Sequence, residues 1–143
     1  RQIDDIMEQV KCPVAVFVNR GYREGALVSF VLGGMIDIFL LSYISIMLQN
    51  GHSVRLFLFD TDDEEFCRCM NDLQARYSGQ ITIVRFAGVE ELVTREKDGL
   101  LVMSHLSYTK LSEDELVMRE LSSLLVIRRN KNKGEKNERL EIG

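Results

Sequence analysis

Gly33 and Gly34 stand between two apolar runs, and Asp37 follows three residues past the second glycine. A glycine pair between a strand and a helix could let backbone N–H groups cradle a phosphate at the helix start. The spacing matches neither G-x-G-x-x-G nor G-x-x-x-x-G-K-[ST], and Asp37 in the first helical turn would repel a phosphate. A tight turn, with Asp37 charging the helix start, is the reading these residues favour. Ser104 and His105 close another apolar run, at the strand edge where open α/β sheets bind ligands. No G-x-S-x-G elbow accompanies them, so they mark a position rather than a mechanism. The candidate ligand-binding set is therefore Gly33, Gly34, Asp37, Ser104 and His105, with no catalytic residue and no metal ligand assigned. Asp60, Asp62, Asp63, Glu64 and Glu65 are dense in oxygen but lack the EF-hand spacing and its glycine. They read as a solvated helix start. Cys67 and Cys69 lie two apart, a spacing that points to different sides of a helix, and they read as ordinary thiols.

The elements that must position these groups follow from hydrophobic patterning. Residues 26–48 are largely apolar and carry one charge, Asp37, and the run is long enough to cross a bilayer of ~30 Å. A carboxylate near the bilayer centre costs about 2.5–3.5 kcal/mol, and the two halves differ in type. "ALVSFVL" is short and β-branched, as strands are. The half after the glycines reaches Asn50-Gly51, a helix stop. The expectation is strand 27–32, a Gly-Gly turn, and a helix over 36–50. Further strands are expected at 14–19, 53–60, 81–86, 100–106 and 123–129. Helices are expected at 3–11, from the Asp60–Asp63 cap to about Tyr77, and at 112–121, where Ser112 and Glu115 form a capping-box pattern. Strands alternating with helices predict a doubly wound parallel α/β sheet. Strand 14–19 is the exception, because about eight residues separate it from the next strand and a parallel crossover needs about a dozen or more.

Composition narrows the function. The 143 residues suit one domain with its own core, and 45% are hydrophobic and 28% charged. With 18 basic against 22 acidic residues, the net charge of −4 argues against nucleic acid as partner. Three cysteines without framework spacing point to a reducing compartment. The tail over 131–143 is charged and expected to be disordered. The start at Arg1 suggests an internal piece of a longer chain.

The order of "CPVAVFVNRG", "VSFVLGG", Asp37, Tyr43, "VRLFLFD", "DGLLVMSH" and "LLVIRR" resembles the cytoplasmic C-terminal region of monovalent cation (Na+ or K+)/proton antiporters. That region carries universal-stress-protein-like repeats. In the family a "P-C-S-V-x-I-L-V-D-R-G"-like strand closes one repeat, and a "G-G-x-D-D-R-E-A-L-x-Y" turn and helix open the next. Lys11 through Gly21 match the first element with Cys and Pro exchanged, and Gly33, Gly34, Asp37 and Tyr43 match the second. The resemblance covers about residues 5–130. It implies residues 1–20 as the last helix and strand of a truncated repeat, 21–25 as a linker, and 26–130 as a universal-stress-protein-like unit with five parallel strands in the order 3-2-1-4-5. Strand 14–19 would then lie antiparallel beside 124–128. The family's "D-R-E" is here Asp37-Ile38-Phe39, and the G-x-x-G-x9-G-[ST] loop of ATP-binding stress proteins is absent. Neither ATP nor another nucleotide is expected as a cofactor.

The function so implied is a regulatory domain on the cytoplasmic side of the inner membrane. It would not be an enzyme, would not insert in the bilayer and would not itself carry ions. Its partners would be the antiporter's membrane domain and a second copy in a homodimer. The alternatives are a freestanding universal-stress-type nucleotide-binding protein and a hydrolase or transferase of the same class.

Overall fold

A computed structural model describes residues 14–128. Its centre is a six-stranded sheet: β1 (Ala15–Val18), β2 (Val28–Leu32), β3 (Val54–Phe59), β4 (Ile81–Phe86), β5 (Leu100–Ser104) and β6 (Ser123–Ile127), in the order β1-β6-β5-β2-β3-β4. All pairings are parallel except β1 with β6, which is antiparallel and sets Ala15 opposite Ile127 and Val18 opposite Leu124. Counted from β2, the five parallel strands read 3-2-1-4-5 across the sheet. The direction of winding reverses between β2 and β5, which are neighbours.

Position in the sheet explains strand composition. β2, β5 and β6 are buried along their whole length, because helices cover both faces of a parallel sheet. They accordingly read as continuous apolar runs. β4 lies at one edge and β1 at the other, and both carry more exposed residues. One face carries Phe30, Leu56 and Val102. It is covered by α1 (Leu41–Gln49) through Ile44 and Met47, and by α2 (Glu64–Arg76) through Phe66 and Met70. The opposite face carries Val31, Phe57 and Met103. Shorter pieces cover it: the 3-10 turn Val89–Leu92, α3 (His105–Leu111) and α4 (Glu115–Glu120).

The apolar run over 26–48 is thus divided between β2 and a helical segment, and no helix among the described residues is long and apolar enough to cross a membrane. The segment after the glycines differs from the expected single helix. It begins as a 3-10 helix, Met35–Leu40, and becomes α-helical at Leu41. Asp37 folds its carboxylate back onto the Gly33 N–H, which tightens the first turns. Asn50-Gly51 ends α1 as expected. Gly51, at φ +86, donates its N–H to Leu48 O at 3.0 Å, and His52 donates to Met47 O at 3.0 Å. These two bonds form the Schellman pattern that satisfies the last helical carbonyls.

Two boundaries shift. The strand expected over 100–106 ends at Ser104, whose hydroxyl accepts the Ser107 N–H at 3.1 Å and starts α3. The helix expected from Ser112 starts later, because Asp114 is the cap and accepts the Val117 N–H at 3.1 Å. Asp63 caps α2 by accepting the Phe66 N–H at 3.1 Å. The stretch over 88–99 holds only the 3-10 turn Val89–Leu92. The helix expected at 3–11 and the tail at 131–143 lie outside the described residues.

Candidate functional site

The C-terminal ends of β2 and β5 meet at the reversal of winding, where open α/β sheets hold ligands. The chain leaves β2 through Gly33 and Gly34. Gly34 has φ +149 and ψ −163, a region essentially reserved for glycine. That conformation brings Asp37 under the strand end. Asp37 is 1% exposed. Its Oδ2 accepts the Gly33 N–H at 2.7 Å and the Ser107 hydroxyl at 3.2 Å. Its Oδ1 is buried with no hydrogen-bond partner. One carboxylate therefore ties the end of β2 to Ser107 in the first turn of α3, across the crevice.

Beside this tie a cavity of about 240 Å³ opens at the sheet edge. Its wall is mainly apolar. Phe59 and Phe86, from the ends of β3 and β4, pack edge to face with centroids 5.6 Å apart. Met103, Leu92 and Leu111 add the floor and the far side. The polar lining comes from Gly33, Ser107 and Lys110. Ser107, Lys110 and Leu111 stand at i, i+3 and i+4 on α3, the spacing that places them on one helical face. Lys110 has no ion-pair partner among the described residues. Glu91, next to the cavity wall, is folded back onto the Ala87 and Gly88 N–H groups at 2.9 Å each. Those bonds hold its carboxyl below the usual carboxylate range.

The sequence-derived residues fall into separate roles. Gly33 lines the cavity, Gly34 shapes the turn, and Asp37 acts behind Gly33 and Ser107. Ser104 is buried and occupied as the α3 cap. His105 is exposed at the first position of α3 and does not line the cavity. Ser107, Lys110, Phe59, Phe86 and Met103 were not singled out from sequence. The i, i+3, i+4 set on α3 would have been visible only with 105–111 recognised as a helix.

Chemically the site is suited to binding. Among the described residues Lys110 is the one titratable side chain in the lining, and the Ser107 hydroxyl beside it donates to the buried Asp37 carboxylate at 3.2 Å. The N–H groups of Gly33 and Ser107, two residues of the lining, are committed to Asp37 and Ser104. Among the described residues no group of three or more His, Cys, Asp or Glu side chains is placed to hold a metal ion. No protein-family model matches the chain, and neither does any curated protein or solved structure.

Proposed function

We propose that this chain is a universal-stress-protein-like regulatory domain of a monovalent cation/proton antiporter, one that binds a small ligand and biases the attached transporter. The observation that carries the reading is the antiparallel pairing of β1 with β6. A strand that enters from the N-terminal side and closes the fifth strand of a 3-2-1-4-5 sheet is what a tandem of two such units requires. The cavity at the winding reversal supports a sensing role, since its wall is mainly apolar and offers a binding surface. The committed N–H groups of Gly33 and Ser107 favour a ligand other than a nucleotide. In this reading residues 26–130 lie on the cytoplasmic side of the inner membrane and act on the membrane domain. Regulation requires that the ligand bind two transporter states with different affinity.

The test begins with the complete transcript. The reading frame around this segment should encode several hydrophobic stretches of about 20 residues, and the product should sediment with membranes. A complete frame without such stretches, giving a product that stays in the supernatant, refutes the antiporter assignment.

A further inference from the structure

We infer that the cavity's ligand is a small aromatic monoanion, a one- or two-ring compound carrying a single carboxylate; this rests on the ligand-sensing reading above. Size sets the first limit. A dry apolar cavity of about 150 Å³ takes benzene, and sites for drug-sized ligands begin at about 300 Å³. A cavity of about 240 Å³ falls between, which fits a single or fused ring system and excludes a dinucleotide. Wall chemistry sets the second. Phe59 and Phe86 present ring edges and faces at 69° to one another, the geometry that accepts a further ring. Met103, fully buried, gives an adaptable sulfur contact.

Charge sets the third. Two carboxylates near the wall are turned onto donors of the chain itself, Asp37 through Oδ2 onto Gly33 and Ser107, and Glu91 onto Ala87 and Gly88. Lys110 is the uncommitted charge in the lining, and it lies on the same helical face as Ser107. A single ammonium on an exposed stem matches one carboxylate. It does not match a di- or triphosphate, which would need several cations and free backbone donors.

The experiment is a titration of the 143-residue chain with 2-naphthoate, 2-naphthamide and 2-naphthylmethylamine, by calorimetry and by amide chemical shifts. The acid is expected to bind tightest, about threefold to fivefold tighter than the amide, the size expected of one partly exposed ion pair. Lys110→Met keeps the apolar stem and removes the charge. It should abolish the difference between acid and amide while leaving amide binding unchanged. Val89→Trp, which fills the cavity from the 3-10 turn, should remove all binding. Equal affinity for acid and amide overturns the anion assignment and leaves the sensor reading standing. Preference for the amine reverses the assignment. No binding by any of the three overturns the inference, and a transport response in the full-length protein would then separate that failure from failure of the regulatory reading.

Discussion

Replacing Asp37 by alanine removes the carboxylate that links β2 to α3, and the structure sets the size of the effect. A hydrogen bond to a charged group contributes about 1.5–3 kcal/mol net, and a neutral one about 1 kcal/mol. The 2.7 Å bond from Gly33 N–H belongs to the first kind. The 3.2 Å bond from Ser107 is longer and contributes less. Against these stands Oδ1, buried without a partner, whose desolvation costs about 1–3 kcal/mol. Asp37→Ala relieves that cost but orphans the Gly33 N–H. The expected net loss is about 1–3 kcal/mol, equivalent to about 2–9 °C in Tm for a chain of this size. Asp37→Asn keeps an acceptor for Gly33 and should lose about half as much. The assay is urea unfolding followed by circular dichroism, with Ser107→Ala and the Asp37→Ala/Ser107→Ala double variant completing a cycle. A coupling of about 0.5–1 kcal/mol between the two positions is expected for residues in direct contact. If Asp37→Ala is as stable as the native chain or more so, burial of the carboxylate outweighs its bonds and the proposed tie across the crevice is refuted.

Other consequences follow from specific contacts. Gly34→Ala should cost about 1–3 kcal/mol because its backbone region excludes a Cβ. Gly33→Ala, whose Cβ would meet the Asp37 carboxylate at 3.2 Å, should cost less, and thermal denaturation of the two variants ranks them. The Arg55 guanidinium, bonded to Glu96 at 2.8 Å and to Ser29 at 3.0 Å, holds the Glu96 carboxyl below its ordinary 4.5. That contribution is fully present above pH 4.5 and is lost as pH falls through the lower folded value. With the Glu96 side chain 41% exposed, it amounts to about 0.2–1 kcal/mol. Urea midpoints from pH 3 to 6 should therefore fall less steeply on acidification for Glu96→Gln. Leu56→Ala, at a fully buried position on β3, should cost about 2–5 kcal/mol in the same unfolding assay.

The sheet was readable because its strands are buried on both faces. β2, β5 and β6 are buried throughout and carry no charged residue, and the signals between strands, Asn50-Gly51 and the Asp63 cap, act through local backbone chemistry that sequence displays directly. α3 was not readable for the opposite reason. Its seven residues, His105–Leu111, include four polar side chains and bury only Leu111, so no periodic apolar face announces it. The 3-10 start at Met35–Leu40 depends on a side chain bending back to a preceding N–H, a contact that spacing alone does not specify.

The site was legible to the same degree. The glycine pair and Asp37 pointed to the strand end beside which the cavity opens, because a turn of the Gly34 kind needs glycine and the sequence displays it. The cavity wall was not, because Phe59, Phe86 and Met103 converge from the ends of three different strands. Their partnership is created by sheet order rather than by spacing. His105 illustrates the reverse: proximity to a strand end placed it among the candidates, while the start of α3 leaves it exposed and off the cavity.

The regulatory reading is tested most directly by cation-driven proton exchange in everted membrane vesicles carrying the full-length protein, compared with the same protein bearing Val89→Trp. Filling the cavity is expected to shift the activation profile in pH or cation concentration while leaving maximal exchange in place, as loss of a regulatory ligand would. Absence of cation/proton exchange in the native protein, or identical profiles for the two proteins, contradicts the account.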